Sequence, residues 1–269
     1  MKHKRKLQYL LVISIATLGY LFFITGARSP PLIDGVLYEG AIMEVSDNLS
    51  GLTWDDATQT LIAVTNRPSQ VMQLDEEGNV LQQIPLTNME DTESITFIED
   101  NLFFIAEERT RSITLIALDL SDMHYTRLAP HFVFDLGGKR NYGIEGIEYS
   151  KQHDTLFIAN EKFPAAVYKI DGFLRGHLRG FKIQKLFSST KDISGLAWNE
   201  VRQRLYVLSD ESKMVREMDI NGVIYRESDL GDIIQHIPQP EGIAVHQDRL
   251  YIVSEPNLFY VLKMLPAPL

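Results

Sequence analysis

The sequence predicts an all-β fold, a five-bladed β-propeller of four-stranded blades. Three observations lead to this prediction. A short motif recurs five times in the 269 residues, an apolar run follows every copy, and further strand-like runs follow that run. Four strands in a repeat of about 45 residues is the period of a propeller blade.

The motif predicts the first strand of each blade. Its five positions are Ser or Glu, a small residue, an aliphatic residue, any residue, and an aromatic residue or Val. The copies occupy residues 50–54, 93–97, 145–149, 194–198 and 241–245. Their second positions are 43, 52, 49 and 47 residues apart. Self-similarity at this spacing indicates a repeated supersecondary unit.

The runs after each motif predict the other strands. Short apolar runs bounded by turn residues are typical of fully buried strands, and they predict the second strand. These runs are residues 61–66, 102–107, 156–161, 205–210 and 250–255. Third strands are predicted at 71–74, 113–118, 167–170, 215–218 and 258–262. Fourth strands are predicted at 80–86, 131–136, 181–187 and 223–230.

The fifth copy lacks a fourth strand, because the sequence ends soon after its third. Residues 36–45, before the first repeat, have the length and pattern of the missing strand. Pairing this N-terminal strand with the last blade would close the ring and remove an open sheet edge. We therefore expect the propeller to occupy residues 34–269.

The N-terminus predicts a membrane anchor at residues 1–28. Five basic residues and no acidic ones lie in this segment, and residues 7–27 are uncharged and mostly apolar. A spanning helix needs about 20 such residues, whereas the core of a signal peptide has about 7–15. Basic residues before the span place the N-terminus in the cytoplasm and the propeller outside. The alternative is a signal peptide cleaved near residues 25–27; residues 29–33 form a linker in either case.

The charge of the remaining chain excludes one class of partner. The whole sequence has a net charge of −10, but residues 29–269 hold 21 basic and 36 acidic side chains, a net charge of −15. Binding to nucleic acid through the phosphate backbone requires the opposite sign. The absence of cysteine excludes disulfides and thiolate metal sites. Small cations and cationic ligands are the partners that this charge favours.

Two columns of polar residues are expected on one face of the propeller, which we call the acidic mouth. The start of each first strand and the end of each second strand lie on the same face. The first column is Ser50, Glu93, Glu145, Ser194 and Glu241, and the second is Asn66, Glu107, Glu161, Asp210 and Glu255. Seven carboxylates would therefore converge there.

Crowded carboxylates must be protonated, hydrogen-bonded or neutralised by a cation. Ca²⁺ accepts six to eight oxygen ligands in loose geometry, which Glu, Asp and Asn can supply. Zn²⁺ is disfavoured because neither column contains His. We predict a Ca²⁺ site with ligands among Glu93, Glu145, Glu241, Glu107, Glu161, Asp210, Glu255 and Asn66. The alternative is that these side chains cap backbone amides of the next blade.

The motifs resemble those of the bacterial SdiA-regulated family over essentially the whole chain. The shared patterns are Glu/Ser-Gly-Ile/Leu-x-Trp/Tyr and Leu-x-x-Val-x-Asn/Asp/Glu, behind a membrane-anchored N-terminus. That family is distantly similar to NHL-repeat propellers. The resemblance implies a five-bladed propeller with a bound calcium ion, on the periplasmic side of the bacterial inner membrane. It implies no biochemical activity.

Three functions remain open from the sequence. The first is a monomeric binding module whose mouth takes an unknown small-molecule or protein ligand. The second is a metal-dependent hydrolase, such as a lactonase or esterase, in which the ion polarises a carbonyl or activates water. The third is a purely structural ion. No catalytic residue is indicated, because the sequence contains no GxSxG, HExxH, phosphate-loop or EF-hand pattern.

Overall fold

The apolar runs of the sequence form strands that hydrogen-bond into antiparallel sheets. The computed structural model describes residues 30–137, 142–176 and 181–266. Within these residues there are twenty strands in five sheets of four. The sheets are the five blades of a propeller, which confirms the predicted all-β fold and the number of blades.

Blades 1 to 4 each use four consecutive strands, whereas blade 5 includes the first strand of the chain, β1 (Ile33–Ala41). Blade 1 contains β2 (Leu49–Asp55), β3 (Thr60–Asn66), β4 (Ser69–Leu74) and β5 (Val80–Pro85). Blade 2 contains β6 (Thr92–Glu99), β7 (Leu102–Glu107), β8 (Ser112–Asp119) and β9 (His124–Val133). Blade 3 contains β10 (Ile144–Ser150), β11 (Thr155–Asn160), β12 (Ala166–Asp171) and β13 (Ile183–Ser188). Blade 4 contains β14 (Gly195–Asn199), β15 (Arg204–Ser209), β16 (Met214–Met218) and β17 (Ile224–Asp229). Blade 5 contains, besides β1, the strands β18 (Gln239–His246), β19 (Arg249–Glu255) and β20 (Leu258–Met264).

The second strands are apolar throughout because a neighbouring blade covers each of their two faces. In β7, Phe103 and Ile105 pack with blade 1, whereas Phe104 and Ala106 pack with blade 3. All four side chains are at most 1 % exposed. A strand that is buried on both faces has no polar side, so it reads as a continuous apolar run rather than as an alternating one.

Two strands differ from the predicted bounds by three residues or more, whereas the others differ by at most two. The outer strand β9 begins at His124, seven residues before the predicted start, and pairs with β8 from His124 opposite Asp119. The turn between these strands has no Asp-Gly signal; Met123 adopts the positive φ that the turn requires. The N-terminal strand β1 lies at Ile33–Ala41 instead of residues 36–45, and it pairs antiparallel with β20.

The small second residue of the motif allows the inner strands to approach each other. Contacts link β2 with β6, β6 with β10, β10 with β14, β14 with β18, and β18 with β2. A Cβ atom on Gly51 would lie 2.6 Å from Ser94 Cα, and one on Gly242 would lie 2.2 Å from Ser50 O. Both distances are too short for a side chain, so the glycine of the motif is required by close backbone approach.

The predicted anchor at residues 1–28 lies outside the described residues. Among the described residues, no helix is long and apolar enough to span a membrane. Part of the predicted linker at 29–33 is joined to the propeller. Leu32 is fully buried, and its N–H donates to Ser228 Oγ over 2.9 Å.

A buried ion pair joins β16 and β17 in blade 4. Arg226 Nε donates to Glu217 Oε2 over 2.6 Å, and Nη2 donates to Oε1 over 2.9 Å. The two side chains are 1 % and 2 % exposed. Arg226 Nη1 also donates to the carbonyl oxygens of Leu265 and Pro266, which ties the end of the described chain to blade 4.

Candidate metal centre

Strand register brings both predicted columns to one end of the blades. Each inner strand runs antiparallel to the second strand of its blade, so the start of one lies beside the end of the other. In blade 2, Thr92 of β6 pairs with Glu107 at the end of β7. Glu93, Glu145 and Glu241 therefore lie near the starts of β6, β10 and β18, on the face reached by the ends of β3 and β19.

The three glutamates of the first column lie close enough to affect each other's ionisation. Burial raises the pKa of Glu145 well above its usual value, and the negative charges of Glu93 and Glu241 raise it further. Burial also raises the pKa of Glu241, and so do Asp210 and Glu255 of the second column. Several carboxyl groups of the mouth are therefore close together and have little access to solvent.

Two groups of carboxylates are close enough to hold one ion each or to share one. Asp91, Glu93 and Glu108 each offer an oxygen within 4.8 Å of the others. Glu108, Glu145 and Glu161 do the same. Glu108 belongs to both groups, and burial raises its pKa to about 7. Glu93, Glu145 and Glu161 were predicted from the sequence, whereas Glu108 was not.

Register shows why Glu108 belongs to the second column. Ser94 pairs with Ala106, and Gly146 pairs with Ala159. Glu108 comes two residues after Ala106, as Glu161 comes two residues after Ala159. Asp210 and Glu255 stand in the same relation to the partners of Gly195 and Gly242. The number of residues from the small residue of the motif to this position differs between blades, so the pairing of the strands, and not a count along the sequence, identifies Glu108.

Glu107 takes a different part in the structure. It is 5 % exposed, and its Oε1 accepts from the N–H of Glu90 over 3.1 Å. Its Oε2 accepts from Ser112 Oγ over 3.4 Å. The equivalent residue of blade 3, Asn160, donates to the Pro164 carbonyl over 2.8 Å. This position satisfies buried polar groups within its own blade.

Basic side chains form ion pairs with some of the acids of the mouth. Asp91 Oδ1 accepts from Arg67 Nη2 over 3.2 Å, and Arg109 Nε lies 2.7 Å from Asp91 Oδ2. Lys162 Nζ lies 2.8 Å from Glu161 Oε1 and 3.0 Å from Glu211 Oε1.

In blade 4, Lys213 Nζ lies 2.5 Å from Asp210 Oδ1. Asp192 accepts from Ser209 Oγ and from the N–H groups of Asp210 and Glu211, so it holds the loop after β15. The outer acids of the mouth are thus engaged by the protein.

The profile of the SdiA-regulated family matches residues 34–263. The chain belongs to the SdiA-regulated family. This confirms the resemblance seen in the motifs of the sequence.

Solved structures with a similar fold come from other proteins. A crystal structure of a nidogen/laminin complex matches with a TM-score of 0.52 at 13 % identity, covering 78 % of this chain and 73 % of that one. Virginiamycin B lyase from Staphylococcus aureus, crystallised in a catalytically inactive form with quinupristin, gives a TM-score of 0.47 at 14 % identity, covering 81 % of this chain and 66 % of the lyase. At such identities, the nidogen/laminin likeness shows the fold alone.

The donor set of this SdiA-regulated protein fits the calcium ion that the resemblance implies. Asn66 Nδ2 donates to Glu93 Oε1 over 2.9 Å, and Asn66 Oδ1 is buried without a hydrogen-bond partner among the described residues. A buried oxygen left unpaired costs about 1–3 kcal/mol, and a cation beside Glu93 would bind it. Both candidate groups consist only of Asp and Glu, so the available ligands are hard oxygens, as Ca²⁺ prefers.

Proposed function

We propose that the protein is a calcium-binding β-propeller that acts as a binding module through its acidic mouth. The observation that carries this proposal is the pair of carboxylate groups that share Glu108. A cation there would offset the burial and the repulsion that raise the pKa of Glu145, and it would leave outer coordination positions for a ligand. The ligand is a small molecule or a protein, not a nucleic acid, and the protein acts as a monomer.

The proposed ligands of the ion are Glu93, Glu108, Glu145 and Glu161, with Asn66 Oδ1. Negative charge comes from the other side of the mouth as well, from Glu241, Asp210 and Glu255. The rise in the pKa of Glu241 that the charges of Asp210 and Glu255 add to burial supports this. Glu107 keeps its role within blade 2. We propose Ca²⁺ rather than Mg²⁺ because Mg²⁺ needs near-octahedral geometry and retains several waters.

We also propose that residues 1–28 anchor the protein in the bacterial inner membrane by a single span, with the propeller at 34–269 on the periplasmic side. The support is the uncharged stretch at residues 7–27 directly after a basic segment. The pairing of β1 with β20 supports the further proposal that the N-terminal strand closes the ring.

The experiment is a calorimetric titration of the EDTA-stripped protein with CaCl₂. We expect Glu145→Gln to weaken calcium binding at least about tenfold, because even outer-shell changes at metal sites cost 10–100-fold. The matched control is Glu77→Gln, an exposed carboxylate in the turn between β4 and β5, which should leave the affinity unchanged. Circular dichroism checks that both variants are folded.

Equal calcium affinity in Glu145→Gln and the control would contradict the proposed site. The same preparations separate the binding module from the hydrolase. Turnover of an ester or lactone panel that EDTA abolishes and calcium restores would replace the binding module with an enzyme, and absence of turnover in the calcium-loaded protein supports the module.

A further inference from the structure

A pocket of about 700 Å³ lies at the end of the propeller opposite the acidic mouth. Its wall includes the last residue of all five copies of the motif, near the ends of the inner strands, whereas the metal centre lies near their starts. These residues are Trp54, Phe97, Tyr149, Trp198 and Val245. The volume falls within the range of about 300–1,000 Å³ that is usual for small-molecule sites. The pocket is therefore large enough for a ligand of its own.

The walls that the inner strands contribute are mostly apolar. Ala197 and Ala244 line the pocket beside the aromatic residues. The Trp54 ring is stacked on His246, another lining residue, with 3.9 Å between the ring centroids. Side chains that are already packed against each other lose little conformational freedom when a ligand binds. The apolar body of a ligand therefore meets a surface that is formed in advance.

The charged residues of the lining are mostly acidic. The carboxylates are Asp56, Glu99, Asp100, Glu148 and Glu200, and the lysine and arginine are Lys151 and Arg202. Lys151 Nζ is 2.7 Å from Glu99 Oε2, so one of the two basic side chains is already paired. A cleft lined by an excess of one sign of charge concentrates ions of the opposite sign. The lining therefore favours a cation and selects against an anion.

Most of these carboxylates are accessible to a ligand. Asp56 and Asp100, in the turns after β2 and β6, are exposed, and Glu99 and Glu200 are half-buried. Glu148 is the buried one, at 8 % exposure. In the part of the chain that the structure describes, no hydrogen bond or ion pair engages the side-chain carboxylates of Asp56 and Asp100. Their charge is therefore available to a bound cation.

The acids of this pocket are not arranged to bind a metal ion. Within residues 30–137, 142–176 and 181–266, groups of three or more acids with oxygens within 4.8 Å of each other occur only in the mouth. A metal ion needs several ligand oxygens at about 2.0–2.6 Å. An ammonium group also gains energy from carboxylates that lie further away. The pocket is therefore suited to an organic cation.

We propose that this pocket binds an organic cation, an ammonium group on an apolar body. The apolar body contacts the aromatic and aliphatic walls, and the ammonium group lies beside the carboxylates of the turns. This site does not involve the metal centre and does not depend on calcium.

The test compares three probes of similar shape. Phenethylammonium, phenethyl alcohol and hydrocinnamate each carry a phenyl group on a two-carbon chain, which ends in a cation, a neutral hydroxyl group and an anion respectively. The ¹⁵N-labelled full chain is dialysed against each probe, so that the free concentration is known. The backbone N–H cross-peaks of Ala197 and Ala244, in the wall of the pocket, report binding.

We expect phenethylammonium to bind with a Kd of about 1–10 mM, as is usual for a probe of this size. The alcohol should bind at least about threefold more weakly, since it lacks the attraction to partly exposed carboxylates, and hydrocinnamate more weakly still. The Kd of the ammonium probe should be the same in EDTA and in CaCl₂. Loss of its shifts in CaCl₂ would place the cation in the acidic mouth and overturn the proposal.

A double variant tests the carboxylates directly. Asp56→Asn with Asp100→Asn removes two exposed charges of the lining, and we expect it to weaken ammonium binding at least about threefold while the alcohol binds as before. The matched control is Glu77→Gln with Asp122→Asn. It removes two exposed carboxylates from outer turns at the same end of the propeller, outside the lining, and should leave both affinities unchanged.

Three results would each overturn the proposal. The first is the absence of shifts at about 20 mM phenethylammonium. The second is binding of the alcohol or of hydrocinnamate as tightly as the ammonium probe, which the unaltered chain alone can show. The third is an equal ammonium affinity in the two double variants, whose backbone spectra show whether they are folded.

Discussion

In EDTA, the melting temperature of the protein is expected to fall as the pH rises from about 5 to about 8, and calcium is expected to remove most of this fall. The cause is the group of buried acids in the mouth. Burial raises the pKa of Glu108 from 4.5 to about 7, and it raises the pKa values of Glu145 and Glu241 well above their usual value.

The sign follows from proton linkage. A folded-state pKa above that of the unfolded chain means that the folded protein holds a proton which unfolding releases. The stability from this proton is fully present below the unfolded-state pKa and is lost as the pH rises through the folded-state pKa. For Glu108 this window is about pH 4.5 to 7. Each such proton changes the free energy of unfolding by about 1.4 kcal/mol per pH unit, or the melting temperature by about 3–6 °C.

Scanning fluorimetry in EDTA and in CaCl₂ measures both slopes. Glu108→Gln should flatten the slope in EDTA, because the amide does not titrate, whereas Glu77→Gln should leave it as in the wild type. Calcium competes with protons for the same oxygens, so its stabilising effect should grow with pH. A melting temperature in EDTA that stays level or rises over this pH range would contradict the predicted loss of stability from the buried acids of the mouth.

Removing the buried arginine of blade 4 should cause the largest loss of stability of any single substitution considered. Arg226→Ala leaves the Glu217 carboxylate buried at 2 % exposure without its bidentate partner. Breaking one side of a buried ion pair costs about 3–5 kcal/mol. For a domain of this size, that loss lowers the melting temperature by about 6–20 °C.

The neighbouring cross-strand pair provides a matched control. Arg216 and Glu227 join the same two strands at 3.4 Å, but their side chains are 20 % and 39 % exposed. Arg216→Ala is expected to cost at most about 1 kcal/mol, since water screens a partly exposed pair. If chemical denaturation gave the two variants equal losses, the buried pair would not have the role that its geometry indicates.

The number of blades could be predicted from the sequence because the close packing of the inner strands requires a small residue at the same position of every repeat. Wherever two inner strands meet, the chain needs a small residue, as at Gly51 and Gly242. The start of β9 could not be predicted in the same way. Met123 takes a positive φ in that turn although it carries none of the usual turn chemistry.

The candidate site was predicted less completely, and for a physical reason. The apolar run of β7 is followed by two glutamates, and local sequence cannot tell which of them faces the mouth. Register decides this question: Glu107 pairs within the blade, and Glu108 reaches Glu145 and Glu161. The Asn66 amide is held by a hydrogen bond from its Nδ2 to Glu93, 27 residues further along the chain. The unpaired Asn66 Oδ1 therefore could not be predicted from a local sequence pattern.

Diffraction from crystals of the protein grown with CaCl₂, recorded at a long wavelength where calcium scatters anomalously, tests the proposed metal centre most directly. We predict an anomalous peak within about 2.3–2.6 Å of carboxylate oxygens of Glu108 and Glu145, with water or solvent on the outer side of the ion. A mouth without such a peak, in which Lys162 or other basic side chains bridge these carboxylates, would contradict it.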